Sequence, residues 1–85
     1  MFNKQGKIYK HTNLDEILTL DISKSLKKTF KTMFNKKVYF EHEGKCKIGK
    51  LVGLEVNEQL CNYYFIISIE DKFLYITTNK SLTLL

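Results

Sequence analysis

Residues 34–57 read FNKKVYFEHEGKCKIGKLVGLEVN, and this stretch decides the fold class. Val38 and Phe40 alternate with Tyr39 and Glu41, the two-residue period of a strand with Val38 and Phe40 inward. Gly44 marks a turn. Cys46, Ile48, Val52, Leu54 and Val56 then carry the alternation along a second strand, interrupted at Lys50. Side chains two positions apart lie on one face, so Gly49, Leu51 and Gly53 are expected to share one. Glycines at those steps let a strand bend and let another backbone or a helix come close. The expectation is a hairpin whose second strand is long and sharply bent.

Upstream, the period becomes helical. Ile22, Leu26, Phe30, Met33 and Phe34 line one face, with Lys24, Lys27, Lys28 and Lys31 on the others. Ser23 is placed to cap this helix, expected over 23–34 with Leu26, Phe30 and Phe34 packed over an open end of the sheet. Asn13 and Glu16 have the spacing of a capping box, and Leu14, Ile17 and Leu18 follow at helical steps. Leu18, Leu20 and Ile22 alternate like a strand, so both readings stand for 17–22. Residues 1–12 are polar and rich in lysine and read as a loose arm.

Downstream, Asn57-Glu58-Gln59 reads as a loop before a strand from Leu60 to Glu70. Tyr63, Phe65, Ile67 and Ile69 share one face of it, and Tyr64 and Ile66 the other. Apolar character on both faces implies cover on both sides, by the helix or by another subunit. Asp71-Lys72 turns into Phe73–Thr78, and Asn79-Lys80-Ser81 turns into Leu82–Leu85. The fold class expected is mainly β: an N-terminal helix followed by a small, strongly bent antiparallel barrel of five strands. The organisation expected is a partly helical arm over 1–22 and one domain over 23–85.

Eighty-five residues hold one domain at most, with a small core that oligomerisation commonly reinforces. Apolar residues at 44% and aromatic residues at 13% exclude a disordered chain. No apolar run approaches the roughly 18 residues of a membrane span. MFNKQGKIYKH lacks the apolar core of a secretory signal, so a cytoplasmic location is expected, or a nuclear one in a eukaryote. The chain has no Ala, Pro, Trp or Arg, a bias that fits an AT-rich genome.

The net charge of +5 is uneven: residues 1–50 carry +7 and residues 51–85 carry −2. A basic half suits phosphate backbones, and a solvated lysine face is the plainer reading. With every cation a lysine, the planar fork that reads bases is missing. Cys46 and Cys61 form no CxxC pair, and His11 and His42 have no metal-ligand spacing. Buried reduced thiols are expected, with a disulfide as the alternative, and neither metal nor cofactor. No phosphate loop, nucleophile elbow or HExxH occurs, so no enzyme activity is expected.

The helix ending at Phe34, Asn35-Lys36-Lys37-Val38, Gly44 and Gly49-Lys50-Leu51-Val52-Gly53-Leu54-Glu55 follow one another in a telling order. Over residues 24–60 this resembles the first half of an Sm or Lsm domain. In that family a short helix precedes a hydrophobic–basic segment, a hairpin glycine and a Gly-x-Leu-x-Gly-hydrophobic-acid motif. The second family motif, a basic residue followed by Gly in the last turn, is represented only by Thr78-Asn79-Lys80-Ser81, without the glycine.

The resemblance implies an Sm-like barrel that assembles into a homo-oligomeric ring and binds single-stranded, U-rich RNA. Lys24, Lys27, Lys28, Lys31, Lys36 and Lys37 would meet phosphates, and Tyr39 would stack on a base. Glu55, Asn57 and Lys80 would approach the base in the central pore. The structural readings of the same residues are a turn for Asn57, an interface for Tyr39, and the needs of any SH3-like barrel for the glycines. The alternative function is an SH3-like module of a mobile element or virus that binds a partner protein.

Overall fold

The computed structural model describes residues 7–10, 12–57, 60 and 62–85. Residues 1–6 of the expected arm, His11, Glu58 and Gln59 of the expected loop, and Cys61 lie outside the described residues. Over these residues the chain is mainly β, as expected, but forms an open antiparallel sheet of six strands in place of the expected five-stranded barrel, with two helices. In order these are β1 (Lys7–Lys10), α1 (Leu14–Leu18), α2 (Lys24–Met33), β2 (Lys37–His42), β3 (Lys45–Asn57), β4 (Asn62–Ile69), β5 (Lys72–Thr77) and β6 (Thr83–Leu84). The first described element is thus a strand and not a helix, and residues 7–10 of the expected loose arm are paired. Their sequence, KIYK, is short and half charged, and its stability comes from β3 and not from itself.

The helices follow local chemistry. Ser23 is extended and its hydroxyl accepts the Leu26 N–H at 3.1 Å, which starts α2. Leu26 and Phe30 are buried beneath α2. The Phe30 ring lies 6.1 Å from that of Phe34 and 5.8 Å from that of Phe65. The expected capping box at α1 does not form, because the Asn13 side chain caps nothing. Instead the Thr12 hydroxyl donates to the Glu16 carboxylate. The ambiguous span resolves as helix to Leu18, then a turn in which the Leu20 N–H reaches Ile17 O at 3.1 Å.

The sheet runs β5-β4-β3-β2-β6, with β1 paired to the second half of β3. The core gathers Ile17, Leu26 and Phe30 with Val38, Phe40, Leu51, Leu54, Phe65, Ile67 and Ile76. One irregularity governs β3. Leu51 pairs with Ile67 and Gly53 with Ile66, so Val52 is an extra residue, a β-bulge. The bulge inverts the alternation. Gly49 and Leu51 point to the core before it, Leu54 and Val56 after it, and Gly53 therefore faces the opposite way from Gly49. The expectation that Gly49, Leu51 and Gly53 share a face is corrected by this one residue.

It also leaves Cys46 and Ile48 on the outer face, Ile48 52% exposed, where the alternation had grouped them with Leu54 and Val56. Cys46 is a free thiol and exposed, not buried.

The two glycines serve different close approaches. A Cβ on Gly49 would press into the side chains of Ile67 and Ile69 and come within 2.9 Å of the Ser68 carbonyl oxygen, whereas one on Gly53 would collide first with the Tyr9 carbonyl oxygen. Gly53 therefore makes room for β1. Both tight hairpin turns place two consecutive residues at positive φ: Glu43 and Gly44 at 53° and 78°, Glu70 and Asp71 at 48° and 65°. That is the backbone of a type I′ turn, whose twist matches the strands it joins.

Candidate nucleic-acid interface

α2 carries its lysines away from the sheet. Lys24, Lys28 and Lys31 fall at i, i+4 and i+7 and are exposed, and Lys27 is half-buried beside them. No acid stands in the first turn of α2, so Lys24 sits against the positive end of the helix dipole, while Lys31 in the last turn complements the negative end.

The band continues round the corner into β2. Asn35 turns the chain at φ 62° and its N–H donates to Leu51 O at 2.7 Å. The Leu51 N–H returns to Lys36 O at 3.2 Å. This double clasp sets the exposed Lys36 and Lys37 at the start of β2. Among the described residues, no lysine lies within 4.0 Å of a carboxylate; the one such pair joins His42 to Glu43 at 3.6 Å.

Tyr39 stands on the outer face, 39% exposed, between Ile48 of β3 and Thr83 of β6. Glu55 lies on the outer face beyond the bulge, between Ile8 of β1 and Tyr64 of β4, and is half-buried. Asn57 ends β3, and its side-chain carbonyl accepts the Leu60 N–H at 3.2 Å. That bond gives it a turn-forming role.

Lys80 is exposed in the β5–β6 connection, its N–H on Thr77 O at 3.1 Å. It lines a cleft of about 380 Å³ with Ser23, Thr29, Tyr63, Asn79 and Ser81. Register places Asn57 and Lys80 at the same end of the sheet: Asn57 pairs with Asn62, and the Thr78 N–H meets Tyr63 O at 3.1 Å. Within one protomer, however, neither Glu55 nor Asn57 lines the cleft beside Lys80. The six lysines from Lys24 to Lys37 lie along α2 and the α2–β2 corner, all exposed but the half-buried Lys27, and the three residues expected at the base do not converge on one cleft.

Sequence reasoning missed Lys50. It pairs with Lys37 across the hairpin, both on the outer face. The signal was available, because a two-residue turn at Glu43-Gly44 fixes every cross-strand partner by counting.

Among the described residues no group of three or more His, Cys, Asp or Glu side chains is placed to hold a metal, and no helix is long and apolar enough to cross a membrane. No family model, no curated protein and no solved structure matches this chain.

Proposed function

We propose that this chain is an Sm-like protein that binds single-stranded, U-rich RNA in the cytoplasm as a homo-oligomeric ring. The observation that carries the proposal is the lysine band from Lys24 to Lys37, free of carboxylate partners among the described residues. Lysines arranged next to one another without acids repel, and a phosphate backbone relieves that repulsion while releasing counterions.

The path of the chain supports the Sm-like part. α2 leads into five antiparallel strands, β2 to β6, whose second member is long and bent at a bulge. β1 is an addition to that plan. β5 and β6 end the strand path, and edges of this kind are completed when one protomer pairs with the next. Phe73 and Tyr75 on β5 and Leu84 on β6 are 37–39% exposed at those edges. The same exposed edge residues favour the second reading, an SH3-like module that docks a partner protein.

Light scattering and an RNA titration separate the two. A discrete ring mass and salt-sensitive binding of a U-rich oligonucleotide at low salt are expected. A monomer of 10.0 kDa that binds no RNA would leave the interaction module.

A further inference from the structure

Lys37 and Lys50 occupy directly opposed positions on β2 and β3, and both are exposed on the outer face. Directly opposed side chains have Cβ atoms about 5 Å apart, and like charges there destabilise the sheet. Neither ammonium has a carboxylate within 4.0 Å among the described residues. Lys36 precedes them at the corner whose backbone is clasped to Leu51. Two cations are thus held near one another by backbone pairing that does not depend on them, with Lys36 at the adjoining corner.

The neighbouring positions are of a different kind. One step along, Tyr39 and Ile48 face each other across the same hairpin, 39% and 52% exposed. Ser68 of β4 continues the Lys37–Lys50 row. A cleft of about 440 Å³ lies here, lined by Lys37, Ile48, Lys50, Ser68 and one carboxylate, Glu70.

We propose that Lys37 and Lys50 form a phosphate grip for the backbone of single-stranded RNA, with Tyr39 and Ile48 as the apolar seat of the adjoining base. The proposal rests on the RNA-binding reading above and adds a path to it: the strand leaves α2, rounds the α2–β2 corner and continues on the outer face of the sheet. The chemistry is that of single-strand binding in general, in which ammonium groups track phosphates and an aromatic face accepts any base. Charge complementarity selects this occupant, since the ammonium groups of Lys37 and Lys50 line the cleft against the one carboxylate of Glu70 in the turn after β4.

Fluorescence anisotropy of the full chain with a labelled U-rich oligonucleotide over a series of salt concentrations tests it. The double variant K37Q/K50Q should bind about tenfold more weakly at low salt, with a salt slope shallower by about 1.4, at roughly 0.7 per phosphate contact on a single strand. K37R/K50R should bind as wild type does. Tyr39→Phe should retain affinity, and Tyr39→Ala should lose it.

K37Q/K50Q should melt no lower than wild type, because the substitution removes a repulsion. Unchanged affinity and slope in K37Q/K50Q, or an equal loss in K37R/K50R, would overturn the grip and leave the RNA-binding reading standing. Failure of the wild-type chain to bind would overturn both.

Discussion

The two halves of β3 differ in what covers their outer face. From Lys45 to Gly49 the strand pairs with β2 alone, and Cys46 and Ile48 lie open to solvent. From Gly53 to Val56 it is flanked by β4 on one side and β1 on the other. Around that half Val52 and Ile66 are 6% and 0% exposed although neither belongs to the core cluster. Lys10 of β1 reaches across to place its ammonium 4.0 Å from the centre of the Phe73 ring. One half presents a cationic and aromatic surface, and the other is packed on both faces. A single bulged residue separates them, so one strand both completes the core and displays a binding face.

The largest effect is expected from upsetting the phase that the bulge sets. Inserting one alanine between Gly53 and Leu54 shifts the alternation and turns Leu54 and Val56 outward, because a one-residue slip exchanges the faces of a strand. A thermal melt followed by circular dichroism should show no cooperative transition. A cooperative melt near that of wild type would mean that the two halves do not depend on that phase.

Next is Phe30→Ala, beneath both halves. Phe30 is 0% exposed and packs on Phe34 and Phe65, so a loss of about 3–5 kcal/mol is expected in urea unfolding. A loss below about 1 kcal/mol would make α2 an appendage of the sheet.

The glycines then separate the halves directly. Gly53→Ala should cost about 1–3 kcal/mol and remove amide-exchange protection from Lys7–Lys10, because the clash is with the Tyr9 backbone. Gly49→Ala should cost less, since its nearest clashes are with the Ile67 and Ile69 side chains and it meets the Ser68 carbonyl oxygen only at 2.9 Å, whereas on Gly53 a backbone carbonyl is the nearest atom of all. Equal costs, with β1 still protected, would contradict the seating of β1 against Gly53.

The smallest effect is Lys50→Glu on the open half. Replacing a repulsion with Lys37 by an attraction should stabilise the protein by about 0.2–1 kcal/mol while weakening RNA binding. Opposite signs for stability and affinity are the mark of a residue kept for binding. Loss of both together would assign Lys50 a structural role.

Much of this arrangement was legible in local sequence. The Ser23 cap, the Leu26–Phe30 stripe, the alternation of Val38 and Phe40 and the turn at Gly44 each rest on neighbours a few residues apart, and each has its counterpart in the structure. The bulge was not legible, because Leu51-Val52 and Leu54 are apolar in either phase and the pattern does not mark which residue is extra. β1 was missed for a different reason. Lys7–Lys10 has little strand character, and it is held by the edge of β3 more than forty positions away in the chain.

The candidate interface was legible as a run of lysines but not as a surface. Whether Lys50 joins Lys37 depends on hairpin register, and whether Glu55 joins Lys80 depends on the parity that the bulge inverts. The Asn13 cap failed because the Glu16 N–H donates to the Asn13 backbone carbonyl at 3.1 Å and not to its side chain, while the Glu16 carboxylate accepts from the Thr12 hydroxyl.

Titration of the isotope-labelled protein with a U-rich oligonucleotide at low salt, read residue by residue in amide NMR spectra, tests the central claim most directly. The largest shifts should fall on Lys24–Lys37 and on Ile48–Lys50, with Lys7–Lys10 and Gly53–Leu54 little changed. A spectrum that stays the same at saturating RNA, or shifts confined to the covered half of β3, would contradict the account.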